Sequence, residues 1–403
     1  MTETKIENTG PLKDIKVVEL GVLLAGPFCG QLLGDYGAEV IKVEQPGVGD
    51  PMREWGRTKV AGRSLWWPIV ARNKKSVTLN LRTPEGQEIL KKLVSEADVL
   101  LENFRPGTME KWGLGYDVLS ALNPRLIMAR VSGYGQTGPY AKRAGYASVG
   151  EAMGGLRYVM GYPDRVPSRA GISIGDTLAA TYACLGVMAA LHSRDSTGRG
   201  QVVDSAIYEA VFAMMESLVT EYQVSGYIRE RTGAILPKVA PSNIYPTSDG
   251  MVIIGANQDT VFARLAEAMG RAEWATDPKY ATHNARGENQ EELDTLIAAW
   301  TKTKTSDEVL EVCGAHGVPS GNLYRAPEML ADPHFAAREA IVDVPFPEVG
   351  HLKMQNVFPK FSETPGVVRW AGPELGEHNE EIYKGRLGMD DEQFNALLKE
   401  GHI

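Results

Sequence analysis

Asp176 stands in the run GISIGDTLAA (residues 171–180), where a small-residue turn enters an apolar stretch. A carboxylate there can accept N–H bonds at the start of a helix, a cap worth about 1 kcal/mol. It can also act as a nucleophile, because a helix start favours its charge. Taken alone, the position reads first as an N-cap. Between positions 53 and 82 eight cations (Arg53, Arg57, Lys59, Arg63, Arg72, Lys74, Lys75 and Arg82) meet one acid, Glu54, in a chain of net charge −9. Such a segment suits a ligand with several phosphates, which arginine forks grip bidentately. An exposed, solvated face accounts for it equally well. The turn GVLLAGPFCG (residues 21–30) has glycines where a phosphate could approach a helix start. Its spacing is not GxGxxG and no Lys-Ser/Thr pair completes a phosphate loop, which excludes a dinucleotide or P-loop site. Another ligand and a plain tight turn both stay open. All seven histidines lie at or beyond His192 without an HExxH pattern, and there is no GxSxG elbow. No metal site and no serine hydrolase are expected.

The elements that must position these residues are legible from periodicity. Residues 15–20 (IKVVEL) form a β-rich run, a helix is predicted over 27–36, and residues 40–43 form a second strand, giving a βαβ unit. A second pass predicts a strand over 76–79, a helix over 83–97 with Ile89, Leu90 and Leu93 on one face, and strands over 99–101 and 126–131. This alternation implies a parallel sheet covered by helices. Residues 176–192 and 205–225 read as helices. After Pro237, Pro241 and Pro246, a strand over 251–255 and helices over 259–269 and 290–302 suggest a smaller α+β unit. The division expected is 1–224 as a large α/β domain with a linker helix, 225–330 as the small domain, and 331–403 as a return segment completing the first.

At 403 residues the chain exceeds one hydrophobic core, and 43% hydrophobic with 23% charged residues is a globular composition. The acidic balance speaks against a nucleic-acid or anionic-membrane binder. Three dispersed cysteines without a CxxC pair support neither a disulfide framework nor a zinc knuckle, so a cytoplasmic, reducing location is expected. Residues 1–13 are polar, unlike an export signal. The apolar stretch 178–191 falls short of a membrane span and reads as a buried helix.

Several segments together resemble the class III CoA-transferase family, which includes formyl-CoA transferase, carnitine CoA-transferase, the succinate:hydroxymethylglutarate-type transferases and related acyl-CoA racemases. The carriers are LLAGPFCGQLLGDYGAEVIKVEQPGVGDPMR (23–53), NKKSVTLNLRTPEG (73–86), ENFRPG (102–107), SGYGQTGPY (132–140), GISIGDT (171–177) and TGRGQVVDSAIYEA (197–210). By matched position the resemblance implies that Asp176 is the nucleophile, forming a mixed anhydride and then an aspartyl-CoA thioester. It implies that Leu24, Ala25, Leu79, Asn80, Asn103, Phe104, Lys111 and Tyr146 line the CoA site, with the nearby cations on its phosphates. CoA thioesters are then substrates and no tightly bound cofactor is expected. The implied fold is α/β: a Rossmann-like large domain with a parallel sheet plus a smaller inserted α+β domain, in an interlocked dimer.

Donor and acceptor would be an acyl-CoA, succinyl-CoA by analogy, and an organic acid, with dicarboxylates closest in pattern. The racemase branch relies on a histidine just after the glycine matched by Gly145. Tyr146 stands there instead, which disfavours racemisation. Many transferases carry an acid after the matched tyrosine, but this chain has Ala147, so that contribution is missing or supplied elsewhere. The glycine-rich loop of the formyl-CoA enzymes is absent as well, which disfavours formyl-CoA and oxalate as substrates. The alternatives are an acyl-CoA racemase or epimerase, and a CoA-binding subunit of a hetero-oligomeric transferase. A homodimer is the expected partner state, with a paralogous subunit as the other.

Overall fold

The computed structural model describes residues 7–403, so the polar start read above as unlike an export signal lies partly outside the described residues. The chain forms two compact units. The first contains residues up to Leu156 together with Ala170–Ser217 and His334–Ile403; the second contains Arg157–Arg169 and Leu218–Pro333.

The first unit is built on six parallel strands: β1 (Lys16–Glu19), β2 (Glu39–Glu44), β3 (Lys74–Thr78), β4 (Val99–Glu102), β5 (Ile127–Ser132) and β6 (Val202–Ala206). Their spatial order is β3-β2-β1-β4-β5-β6, so the order reverses between β1 and β4. Side chains alternate across a strand, and here both faces are buried. Val17, Val40, Val99 and Ile127 pack with the helices α1 (Ala25–Asp35) and, later in the chain, Ile174–Thr197. Val18, Ile41, Leu100 and Met128 pack on the other side with Ile89, Leu90 and Leu93 of α2 (Pro84–Ser95), and with Tyr383 and Phe394 from the end of the chain. Thr83 caps α2, its hydroxyl accepting the Gly86 N–H at 3.2 Å, as the Thr-Pro start suggests.

Three further helices complete the frame of the site: α3 (Ala147–Met153), α4 (Ile174–Thr197) and α5 (Ile207–Phe212). Helix α4 has 24 residues, more than the sequence reading gave it, and by length and composition alone it could cross a bilayer. Its Ala179, Ala180, Ala183, Cys184, Val187 and Ala190 are buried in the core against the sheet, which makes it a core helix. The helix expected over 205–225 is replaced by β6, α5 and a separate helix Leu218–Ser225, with Glu216 at φ +51° between the last two.

The second unit holds a three-stranded antiparallel sheet, Ser320–Asn322, Met251–Gly255 and Ser242–Pro246 in that order. Its core includes Tyr245, Val252, Ile254, Phe262, Leu265, Leu293 and Ile297. Arg286 is fully buried there, its guanidinium donating to the carbonyls of Ala240, Tyr280 and Asn257 and to Asp259.

Candidate active site

In an open parallel sheet the strands flanking an order reversal send their following loops to opposite sides and leave a crevice at their carboxyl ends. The crevice between β1 and β4 holds a cavity of about 200 Å³. Its floor is the turn after β1, which three buried or half-buried side chains hold. Asn103 accepts the Val22 N–H and donates to the Val22 carbonyl, both at 2.8 Å. Asp50 accepts the Leu23 N–H at 3.1 Å, and the Lys42 ammonium donates to the Gly21 carbonyl. So held, Leu23 takes φ +64°, and α1 begins beside the cavity at Leu24 and Ala25.

Lys42 is itself locked by ion pairs to Asp50 (2.9 Å) and Glu19 (3.2 Å), and Glu19 also pairs with Lys74 (2.8 Å), all four side chains being buried. Burial alone would push the Lys42 ammonium down, but Asp50, Glu19 and Glu44 outweigh it and hold its pKa above the ordinary lysine value. Lys74 shifts the other way, because burial dominates its single close carboxylate. On the β4 side, Glu102 accepts the Phe104 N–H at 2.6 Å and pairs with Arg130 at 2.6 Å, fixing the loop that carries Asn103, Phe104 and Arg105.

The remaining walls come from β5 and the segment before α3. Gly133 and Gly145 approach so closely that a Cβ on Gly133 would lie 3.1 Å from the Gly145 Cα, which brings residues 141–146 over the end of β5. Arg143 lines the cavity with its guanidinium 3.7 Å above the Tyr140 ring, and Tyr146 lines it while remaining 69% exposed. Asp176 enters from the first turn of α4 and is half-buried. It is the third residue of that helix and not its N-cap, which corrects the cap reading. Ser173 holds the cap position and makes no side-chain cap bond. The Gly175 N–H is taken instead by Glu151 of α3, at 3.2 Å. A Cβ on Gly175 would lie 2.9 Å from the Glu151 Cγ and 3.2 Å from the Ala147 carbonyl. Gly175→Ala therefore overpacks this contact. It is expected to cost about 1–3 kcal/mol, read as a lower midpoint in thermal or urea unfolding.

Of the residues expected from the sequence, Leu24, Ala25, Asn103, Phe104, Tyr146 and Asp176 line one cavity. Leu79, Asn80 and Lys111 are not among its lining residues. Leu79 is a core side chain, 1% exposed, and offers no side-chain surface to a ligand. Asn80 donates its N–H to the His402 carbonyl at 2.8 Å, and Lys111 is exposed at the end of a short helix, Thr108–Lys111. The cation-rich segment mostly serves the fold: Arg53 pairs with Glu44, Lys59 with Glu54, Arg63 with Glu348 and Glu374, Arg72 with Asp35, Lys74 with Glu19, and Lys75 with Glu39 and Glu381. Arg57 and Arg82 are the two left exposed without an ion pair among the described residues. The cations at the cavity are Arg105 and Arg143, which the charge count passed over. Arg105 had a local signal, standing before Pro106 in the loop after β4; Arg143 lies in the long segment between β5 and α3, where local spacing does not mark it.

A family model described as CoA-transferase family III matches residues 12–379. The succinyl-CoA–D-citramalate CoA-transferase of Chloroflexus aurantiacus is 62% identical over 388 residues, 96% of each chain. The beta subunit of the succinyl-CoA–L-malate CoA-transferase of the same organism is 46% identical over 393 residues, covering 96% of this chain and 97% of its own. Among solved structures, a CaiB/BaiF family protein from Brucella suis superposes with a TM-score of 0.83 at 37% identity, over 94% of this chain and 100% of its own.

Proposed function

The chain belongs to CoA-transferase family III, and from that premise we propose that it moves CoA from succinyl-CoA to a small dicarboxylic acid of the citramalate or malate type, with Asp176 carrying the CoA between them. The observation that carries this reading is the placement of the Asp176 carboxylate, in the first turn of a helix, inside the small cavity at the β1/β4 order reversal.

The chemistry needs a carboxylate nucleophile and little else. An Asp176 oxygen attacks the thioester carbonyl carbon, the C–S bond breaks, and CoA leaves as thiolate, giving a succinyl-aspartyl anhydride. The thiolate attacks the aspartyl carbonyl and expels succinate, giving an aspartyl-CoA thioester. The acceptor carboxylate attacks that thioester and the steps run in reverse order, so Asp176 is regenerated and no proton is gained or lost. The positive end of α4 stabilises the negative charge that develops beside Asp176.

A volume of about 200 Å³ lies below the range of drug-sized ligand pockets, so it fits the acyl and thioester end of the donor while the nucleotide lies outside. Arg105 and Arg143 supply fixed positive charge for the carboxylate of a dicarboxylic acyl group or for CoA phosphate. Arg105→Ala and Arg143→Ala are each expected to raise KM for succinyl-CoA about tenfold, the equivalent of one lost charge-assisted bond, with a weaker dependence on salt than wild type. Steady-state kinetics at two ionic strengths check this.

The working state we propose is a cytoplasmic dimer of interlocked subunits. Cys29, Cys184 and Cys313 are all free and buried, as suits a reducing compartment. Leu185, Phe212 and Met214 of the first unit leave apolar surface exposed, which supports assembly. A paired, non-identical subunit is the second assembly reading, favoured by the L-malate relative's description as a beta subunit.

The test is mass-spectrometric detection of new CoA esters after mixing the purified chain with succinyl-CoA and a panel of acids: D-citramalate, L-malate, glutarate and monocarboxylates. A dicarboxyl-CoA product is expected. Exclusive use of monocarboxylates would overturn the acceptor class, and α-deuterium uptake by a chiral 2-methylacyl-CoA without transfer would replace the reading with racemisation.

A further inference from the structure

We infer that Glu151 is a positioning residue for the nucleophile, its carboxylate anchoring the helix turn that aims Asp176 at the substrate. The inference rests on the transfer reading above and adds a residue that neither the motifs nor the cavity lining single out.

The first N–H groups of a helix have no acceptor within it and need one from elsewhere. In α4 these belong to Ile174, Gly175 and Asp176, and Ser173 contributes no side-chain cap bond. Glu151 meets the Gly175 N–H from a different helix, at 3.2 Å, with its side chain 1% exposed. A carboxylate that deeply buried sits there only if what it binds offsets its desolvation. The acceptor is thus attached to the residue immediately before the nucleophile. Backbone held at Gly175 fixes the peptide from which Asp176 projects.

The packing supports the same role independently. Gly175 has no side chain, and the space where a Cβ would stand is filled by Glu151 and by the Ala147 carbonyl. Ala147 and Glu151 are four residues apart on α3 and so share one helix face, which is the face lodged against the start of α4. Position 147 offers only a methyl group, and the acid on that face comes one turn later. Gly150 of the same helix fits as tightly, since a Cβ there would lie 2.5 Å from the Cγ2 of Ile207, another residue of the cavity wall. Helix α3 is therefore wedged between the nucleophile's helix and α5, and Glu151 is its polar contact with the former.

Displacement of a reacting group by about 1 Å can cost about 10²-fold in rate. The test uses isotope exchange between succinyl-CoA and ¹³C-succinate, which needs no knowledge of the natural acceptor. Two variants separate reach from charge. Glu151→Gln keeps an oxygen at the same distance and removes the charge; Glu151→Asp keeps the charge and withdraws the oxygen by one methylene. The expected result is that Glu151→Gln retains at least about a third of the wild-type kcat. Glu151→Asp should lose about 30-fold in kcat, with KM for succinyl-CoA within about threefold and no loss of folded protein by circular dichroism. The inference is overturned if Glu151→Asp exchanges like wild type, if Glu151→Gln falls as far as Glu151→Asp, or if the loss tracks only the folded fraction. Absence of exchange in the wild-type protein would instead refute the transfer reading itself, so the two failures are distinguishable.

Discussion

Asp176→Ala is expected to abolish CoA transfer, with a fall in kcat of at least about 10⁴-fold, while the protein folds as before. The size follows from the covalent route proposed above, in which the anhydride and the aspartyl thioester both need this carboxylate. The stability effect is small because Asp176 is not the cap of α4. An acid in the first helical turn contributes about 0.3–1 kcal/mol through the helix dipole. Asp176→Asn, which keeps shape and removes the nucleophile, behaves the same way. Steady-state transfer and exchange assays together with thermal unfolding check it. Transfer above about one per cent of wild type in the alanine variant would remove Asp176 from the nucleophile's role.

Lys42→Met is expected to produce the largest stability loss. Lys42 is 1% exposed and pairs with Asp50 and Glu19, whose side chains are wholly enclosed. Removing one partner from a buried cluster leaves charge without compensation and typically costs about 3–5 kcal/mol. Lys74 still serves Glu19, and two backbone N–H groups, of Leu23 and Met52, still serve Asp50, so the lower end of that range is expected. The same change frees the Gly21 carbonyl and loosens the turn beneath the cavity, so kcat falls as well. Asp50→Asn, which retains an oxygen for the Leu23 N–H, is milder in both respects. Lys353→Met, at an exposed pair with Asp343, is the control and moves the unfolding midpoint little. Urea denaturation of the three variants ranks them, and a Lys42→Met midpoint equal to that of Lys353→Met would show that the buried cluster does not support the fold.

How much of this was legible in the sequence differs by element. Strands buried on both faces read as short runs of Val, Ile and Leu, so β1, β2, β4 and β5 were found within two residues of their ends. Strand β6 was not, because VVDSA at the edge of the sheet places Asp204 and exposed valine in a pattern that runs on into the apolar helix IYEAVF. Asp176 came through a motif, and so did the five other expected residues that line the cavity with it. What holds them did not. Lys42, Asp50 and Asn103 converge on the turn at 21–24 from separate strands and loops, and nothing in local spacing marks a pairing that only the folded sheet creates. Charge counting misled at 53–82 for a related reason: Arg72, Lys74 and Lys75 lie in or beside β3, where inward-facing cations must find carboxylates. Glu151 stands 25 residues before Asp176 in sequence and meets its neighbour only through the packing of α3 on α4.

The central claim is that CoA rides on Asp176. The most direct measurement mixes the protein with succinyl-CoA alone, quenches in acid, digests and identifies by mass spectrometry any peptide bearing CoA. The account predicts the adduct on Asp176, discharged when a dicarboxylic acceptor is added before the quench. An adduct on another residue, or turnover with no aspartyl adduct under any donor concentration, would contradict it.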